Sequence, residues 1–215
     1  MKARLDAIIN REQADYLDKL LVLNDPLILE MESYAAEHRV PIADREVARF
    51  IAITARASSA KKALEIGMAI GYTVLHLARA IGEGGKIVTI EPNEEMIRAS
   101  SGYLDRAGVM NLVKIERGKA LEVLPTLHET FDLLFVDALK EEYKGYLDLA
   151  LPLVKSGGVI IVDNLLWGGK VAQKTADEDA STTALREFNT YFMTHPQLSA
   201  AVLPVGDGLG YAVKN

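Results

Sequence analysis

Residues Glu65–Thr73 read EIGMAIGYT, and this short stretch is the strongest indication of the fold. It begins inside a mostly apolar run, Ala63–Ile66, that is typical of a buried strand, and it leads into a helical pattern over Thr73–Ala80. Between them, Gly67 and Gly71 let the backbone turn sharply and approach a ligand closely. A strand, a glycine loop and a helix in this order predict the first unit of a parallel α/β sheet.

The same alternation continues towards the C-terminus. Four more short apolar runs predict strands at Lys86–Ile90, Leu112–Glu116, Phe131–Val136 and Val159–Val162. Helical patterns fall between them, for example over Glu94–Ala107 and Tyr143–Leu151. The pattern predicts a doubly wound parallel sheet. Near the end, Ala201–Val205 and Leu209–Val213 flank Gly206-Asp207-Gly208, which predicts a tight antiparallel hairpin that closes the sheet.

Helical spacing dominates the first 60 residues. Asp25 followed by Pro26 predicts an N-cap and a first-turn proline, and Pro41 is expected to end that helix. Asp44 is expected to cap a further helix that runs to about Ala57. We therefore predict one domain over residues 1–215, with N-terminal helices at 1–60 and a sheet core at 61–215.

The composition narrows the class of protein. Of 215 residues, 49% are hydrophobic and 25% are charged, and the absence of cysteine excludes disulfides and thiolate zinc sites. No apolar run approaches the roughly 20 residues that span a bilayer, and the charged N-terminus does not resemble a signal peptide. We expect a cytoplasmic protein without membrane contact. The net charge of −6 disfavours a nucleic-acid partner without excluding a local basic patch.

The glycine spacing separates this loop from dinucleotide-binding proteins. A G-x-G-x-x-G fingerprint would require glycine at positions 69 and 72, where the chain has Ala69 and Tyr72, so a pyrophosphate ligand is disfavoured. Glu91 ends the second strand and can accept hydrogen bonds from two ribose hydroxyls. These features favour a nucleoside-containing cofactor without pyrophosphate. The alternative is a generic turn with a solvent-facing glutamate.

Oxygen ligands follow two strands that should be neighbours. Asp137 follows the fourth strand, and Asp163-Asn164 follow the fifth, so the three side chains could converge at one edge of the sheet. Two carboxylates and an amide oxygen suit Mg²⁺, Mn²⁺ or Ca²⁺. The alternative is that each aspartate caps the turn that follows it.

Lys140 stands three residues after Asp137, so the two side chains share a face if a helical turn begins there. A lysine beside a divalent cation can have its pKa lowered and serve as a general base, whereas a solvated surface lysine is the alternative. Trp167 could pack on a flat substrate, and a core aromatic is equally compatible with its position.

Five ordered motifs resemble the cation-dependent O-methyltransferases, which include catechol and caffeoyl-CoA enzymes and bacterial relatives. They span essentially the whole chain: Glu65–Thr73, Glu91, Asp137–Lys140, Asp163–Trp167 and Leu203–Gly208. The resemblance implies a Rossmann-like class I methyltransferase with a mostly parallel seven-stranded sheet. It also implies a homodimer that uses S-adenosylmethionine and a divalent metal, such as Mg²⁺, to methylate a hydroxyl oxygen.

The resemblance assigns a role to each matched residue. Residues expected at the cofactor are Glu65, Gly67, Gly71, Tyr72, Thr73, Glu91, Ala120 and Asp137, with Glu91 at the ribose and Ala120 near the adenine. Asp137, Asp163 and Asn164 would bind the metal, Lys140 would be the catalytic base, and Trp167 would contact the substrate. Lys119 and Leu139 depart from the pattern, because many members have an acidic or polar residue at each position.

Two substrate classes fit this chemistry. Asp163–Ala172 resembles the branch that methylates catechols and related phenols, whereas Glu37–Ile42 and Ala69–Tyr72 resemble a bacterial branch that methylates 5-hydroxyuridine in tRNA. An RNA substrate requires a basic surface at the site, for which the candidates are Arg39, Arg45, Lys61, Lys62, Lys170 and Lys174. The net negative charge of the chain favours a small-molecule substrate over tRNA. A cofactor-binding protein without catalysis is a third alternative.

Overall fold

The computed structural model describes residues 11–22, 24–173 and 178–215. The strands are β1 Lys62–Ile66, β2 Lys86–Glu91, β3 Val113–Arg117, β4 Phe131–Val136, β5 Val154–Val162, β6 Leu198–Leu203 and β7 Leu209–Lys214. The α-helices are α1 Arg11–Leu20, α2 Pro26–His38, α3 Arg45–Ala57, α4 Tyr72–Ile81, α5 Glu94–Arg106, α6 Ala120–Val123, α7 Tyr143–Ala150 and α8 Ala180–Thr194. Short 3-10 turns include Lys140–Glu142 and Trp167–Ala172.

The seven strands form one sheet in the order β3-β2-β1-β4-β5-β7-β6. Strands β1 to β5 are parallel, and β7 runs antiparallel to both β5 and β6. The predicted mostly parallel sheet with a C-terminal antiparallel hairpin is therefore confirmed. The hairpin connection is longer than predicted, because Leu203 pairs with Leu209 and leaves residues 204–208 as the loop.

Helices cover both faces of the sheet, as the alternating pattern predicts. Alternate residues of β4 face opposite sides: Leu133 and Phe135 pack in the core that includes residues of α2 to α5, and Leu134 and Val136 pack in the core that includes α7 and α8. Strand β4 is apolar on both faces because both are covered. Among the described residues, no helix is both long enough and apolar enough to cross a membrane.

Of the two helix caps predicted in the N-terminal region, the structure contains one. The Asp25 carboxylate caps α2 by accepting hydrogen bonds from the backbone nitrogens of Leu27 at 2.9 Å and Ile28 at 3.3 Å. Asp44 occupies the corresponding position before α3, but its side chain makes no capping hydrogen bond, so that prediction is wrong. Its Oδ2 atom lies instead against the hairpin loop, 3.4 Å from where a Cβ on Gly206 would sit.

Candidate active site

A cavity of about 980 Å³ opens at the carboxyl ends of β1, β2, β4 and β5. This is the edge at which open α/β sheets bind their ligands. The loops after these four strands supply most of the wall, and the α2–α3 connection and the hairpin loop complete it. The predicted site residues in the wall are Gly67, Tyr72, Thr73, Glu91, Ala120, Asp137, Lys140, Asp163, Asn164 and Trp167.

Gly67 presses the loop that follows β1 against the end of β4. Its φ of +95° lies in a region that L side chains rarely adopt, and a Cβ there would lie 2.1 Å from the carbonyl oxygen of Asp137. Gly71 also has a positive φ, but it lies outside the cavity wall, where an added Cβ would meet Ser100 Oγ at 2.4 Å. The second glycine of the motif therefore lets α4 pack closely on α5.

Glu65 lies behind the cavity wall and not in it. Its carboxylate is fully buried and accepts hydrogen bonds from the hydroxyls of Thr73 and Thr89, the latter at 2.6 Å. Thr73 in turn lines the cavity. Burial raises the pKa of Glu65 to about 7, because an ionised carboxylate is poorly solvated there. Glu65 thus fixes the Thr73 side chain in the cavity wall by accepting a hydrogen bond from its hydroxyl.

Glu65 makes stability depend on pH in a defined direction. Its pKa rises from 4.5 when exposed to about 7 in the fold, so stability falls as pH rises through this range and the unfolded chain ionises first. The loss approaches about 3 kcal/mol. Glutamine cannot ionise, so the free energy of unfolding of Glu65→Gln does not fall in this way. The difference in free energy of unfolding, variant minus wild type, should therefore be larger at pH 8 than at pH 5. Urea unfolding at both pH values measures this difference, with the exposed Glu122→Gln as control. An equal difference at both pH values would contradict the prediction.

Glu91 is oriented by backbone amides at the end of β2. One carboxylate oxygen accepts a hydrogen bond from the Ala69 nitrogen at 3.0 Å, and the other from the Asn93 nitrogen at 2.9 Å. Each oxygen keeps a lone pair for a further donor, such as a ribose hydroxyl. Ala120, at the start of α6, is buried in the same cavity wall. The arrangement suits a nucleoside.

Asp137 and Asp163 stand side by side because Val136 and Val162 pair in the β4–β5 register. The Asp163 side chain is only 2% exposed, and its Oδ1 accepts a hydrogen bond from the Asn164 nitrogen at 2.7 Å. Burial and then the charge of Asp137 raise the pKa of Asp163 well above its usual range. Within the described chain, no three acidic or imidazole side chains form a metal cluster. The available donors are these two carboxylates and the Asn164 amide, which suit a hard divalent cation.

Lys140 contacts both Asp137 and a buried tyrosine. Its Nζ donates to Asp137 Oδ1 at 2.8 Å and to the Tyr143 hydroxyl at 2.7 Å, and that hydroxyl donates to the Asp163 carbonyl oxygen at 3.2 Å. Burial, followed by the charges of Asp137 and Asp163, raises the pKa of Tyr143 well above its usual range, so the hydroxyl stays neutral. Sequence reasoning missed Tyr143, although it repeats the three-residue spacing that singled out Lys140.

Trp167 covers one side of the cavity from a turn with left-handed backbone, at a φ of 48°. Its ring lies 5.7 Å from Lys140 Nζ, and its buried indole nitrogen has no hydrogen-bond partner among the described residues. Asp207 of the hairpin loop fixes the turn by accepting hydrogen bonds from the Gly168 nitrogen at 2.8 and 2.9 Å. This contribution of the hairpin was not predicted from the sequence.

The described candidate basic residues do not all lie on the cavity side of the sheet. Lys61 and Lys62 lie at the amino end of β1, on the opposite edge of the sheet from the cavity. Arg45 pairs with Glu32, and Lys170 pairs with Asp179 at 2.9 Å. Arg39 ends helix α2 in a left-handed conformation, and Lys174 falls outside the described residues.

Known proteins resemble the chain along most of its length. The sequence model of a family described as O-methyltransferase matches residues 11–215. A catechol O-methyltransferase from Mycobacterium tuberculosis is 35% identical over 92% of this chain and 93% of its own, and one from Niastella koreensis is 32% identical over 92% and 94%. The O-methyltransferase TomG from Streptomyces achromogenes, solved in complex with S-adenosylmethionine, superposes with a TM-score of 0.84 at 31% identity over 94% of this chain and 95% of its own.

Proposed function

The chain belongs to the O-methyltransferase family, and we propose that it methylates a hydroxyl of a catechol-like small molecule with the help of a divalent metal. It is a class I methyltransferase that depends on S-adenosylmethionine. The observation that carries the proposal is the meeting of Asp137, Asp163, Asn164 and Lys140 in the wall of one cavity. In this proposal the cavity has a cofactor half and a metal half, each built by a different pair of strands.

The cofactor half of the cavity is the part built by β1 and β2. When bound, S-adenosylmethionine supplies the electrophilic methyl group, so the chain needs mainly to position and deprotonate the acceptor. Glu91 offers two oriented oxygens to a ribose, and its bonds to Ala69 and Asn93 fix them in advance. We refer to the loop between β1 and α4, residues 67–71, as the cofactor loop. Thr73, supported by Glu65, lines the wall next to it.

The metal half is the part built by β4 and β5. Asp137, Asp163 and Asn164 would hold a divalent cation, which supplies Lewis acidity that lowers the pKa of a nearby hydroxyl. The donor chemistry supports this assignment, because burial and the neighbouring Asp137 disfavour the charged form of Asp163, and a divalent cation would stabilise it. As the neutral amine, Lys140 would accept the proton of the acceptor hydroxyl, and the contacts of its Nζ atom with Asp137 and Tyr143 fix the position of that atom.

A catechol is the acceptor that these features favour. A phenol has a pKa near 10, like tyrosine, so it needs both acidification and a base. Two adjacent oxygens allow a catechol to chelate a metal, and the relatives from Mycobacterium tuberculosis and Niastella koreensis are described as catechol O-methyltransferases. The tRNA alternative has no comparable support, since its candidate basic residues are dispersed and partly paired with acids.

A methylation assay under identical conditions tests the proposal. Purified protein with S-adenosylmethionine and Mg²⁺ should methylate a catechol, EDTA should abolish product, and added Mg²⁺ should restore it. Methylation of hypomodified tRNA without methylation of any catechol would overturn the proposal that the acceptor is a catechol. Full activity in EDTA would overturn the proposal that methylation requires a divalent metal. Cofactor binding without product from either acceptor would favour a non-catalytic protein.

A further inference from the structure

Glu32 joins three helices beside the cofactor loop. Its Oε1 atom accepts hydrogen bonds from Arg45 Nε of α3 and from the Tyr72 hydroxyl of α4, both at 2.8 Å. Its Oε2 atom accepts from Arg45 Nη2, so the guanidinium binds both carboxylate oxygens. We refer to Glu32, Arg45 and Tyr72 as the Glu32 clamp. Its members come from elements that are distant in sequence, so the contact belongs to the tertiary structure.

The clamp closes around the segment that forms the upper rim of the cavity. Glu32 lies in α2 before this segment and Arg45 begins α3 after it, so their ion pair ties the two flanks together. Between them, Pro41, Ile42, Ala43 and Asp44 all line the cavity. Glu32 and Arg45 therefore anchor the rim, although neither of them lines the cavity.

Tyr72 connects this rim to the cofactor loop. It is the first residue of α4, directly after Gly71, and only 2% of it is exposed. Part of Tyr72 lines the cavity, yet its hydroxyl points to Glu32 of α2. The resemblance placed Tyr72 among the cofactor-binding residues, whereas its polar atom serves the clamp. One side chain thus fixes the spacing between the rim and the loop.

Two members of the clamp, Glu32 and Tyr72, are shielded from solvent, whereas the Arg45 side chain is 41% exposed. The Glu32 side chain is 16% exposed, and burial alone would raise its pKa, but the bonds from Arg45 and Tyr72 keep the pKa of Glu32 below its usual value. Burial, then Glu32 itself, raises the pKa of Tyr72, so its hydroxyl remains a donor throughout the physiological range. Hydrogen bonds to charged groups at such sites are worth more than neutral ones.

We propose that the Glu32 clamp is a positioning device for S-adenosylmethionine, holding the rim at residues 41–44 at the distance from the cofactor loop that binding requires. The inference rests on the proposed placement of the cofactor in this cavity. Without the clamp, only a fraction of the molecules would have the rim in the position that binds the cofactor. The apparent affinity for S-adenosylmethionine would then be the intrinsic affinity multiplied by that fraction. The acceptor chemistry at Asp137, Asp163 and Lys140 lies elsewhere in the wall and is affected less.

Two conservative variants and one matched control test the clamp. Tyr72→Phe removes a single hydroxyl and keeps the ring, and Glu32→Gln keeps the side-chain length and removes the charge. Glu30→Gln is the control, because Glu30 lies in the same helix and pairs with Arg106 of α5 at 2.6 Å on the protein surface. Calorimetry gives the dissociation constant of S-adenosylmethionine, thermal melting verifies folding, and initial rates separate KM for the cofactor from kcat.

The expected result is a dissociation constant about tenfold higher in Tyr72→Phe and in Glu32→Gln, the factor that about 1.4 kcal/mol produces. The two losses should not add in the double variant, since Tyr72→Phe removes the same hydrogen bond that Glu32→Gln weakens by removing the charge of its acceptor. KM for the cofactor should rise more than kcat falls, and Glu30→Gln should bind like wild type.

Three results would overturn the proposal: unchanged affinity in folded Tyr72→Phe and Glu32→Gln, an equal loss in Glu30→Gln, or additive losses in the double variant. Cofactor binding is measured without an acceptor or a metal. Failure of the clamp can therefore be distinguished from failure of the proposed acceptor chemistry, which would leave wild-type cofactor binding intact and yield no methylated catechol.

Discussion

The Asp163→Ala variant should lose about a thousandfold in kcat/KM for a catechol while it binds S-adenosylmethionine as tightly as wild type. Asp163 supplies one of two carboxylates at the proposed metal site, and a bound metal contributes several kcal/mol to stabilising charge in the transition state. About 4 kcal/mol corresponds to this loss in rate. Initial rates across a Mg²⁺ titration, with calorimetry for the cofactor, separate the two effects.

The fold should survive this substitution. Asp163 is buried beside Asp137, and their mutual repulsion is relieved when one carboxylate is removed. We therefore expect Asp163→Asn, which keeps the shape, to melt no lower than wild type and still to lose activity. Asp105→Ala, on the exposed face of α5, is the matched control and should retain full turnover. Retention of the Mg²⁺ response and full turnover in Asp163→Ala would refute the metal assignment.

Lys140→Ala should lower kcat by a factor of about 10² to 10⁴, the range for loss of a positioned general base. The Lys140 side chain is 10% exposed and lies 2.8 Å from Asp137, so solvent does not readily replace its amine. Cofactor affinity should change far less than turnover. Rates with saturating cofactor, measured across pH, give the effect on the chemical step.

An acceptor that needs no base sharpens the test of Lys140. A nitrocatechol ionises near neutral pH, so the defect of Lys140→Ala should be much smaller with this substrate than with catechol. Lys144→Ala is the matched control, because Lys144 lies one turn further along in α7, pairs with Asp148 at 2.7 Å and is largely exposed. An equal defect with both acceptors, or an unchanged rate and pH profile with catechol, would show that Lys140 is not the base.

Local patterns were sufficient to predict much of the fold and the polar centre of the site. Strand-end residues such as Asp137 and Asp163 follow apolar runs, and the sheet order then brings them together. The three-residue offset of Lys140 likewise predicted a contact with Asp137 that the structure contains. Such features depend on backbone periodicity, which is present in a single segment of sequence.

Features that depend on distant segments could not be predicted in this way. The Glu32–Tyr72 contact joins residues 40 positions apart, and neither residue has a local signal for it. Asp44 has the spacing of a helix cap, but the hairpin loop, more than 150 residues later, lies where its side chain turns. Helix α8 begins with Ala180, Ser181, Thr182 and Thr183, three of which have low helix propensity, so packing of its apolar face stabilises it.

The contact of Gly67 with the Asp137 carbonyl has a consequence for how this protein can diversify. The loop proposed to bind the cofactor and the strand proposed to bind the metal touch at a point with no room for a single methyl group. A substitution at position 67 therefore disturbs both halves of the cavity at once. Under the proposed function, a change at position 67 would therefore alter cofactor binding and metal binding together, and changes in acceptor preference would arise in other parts of the wall.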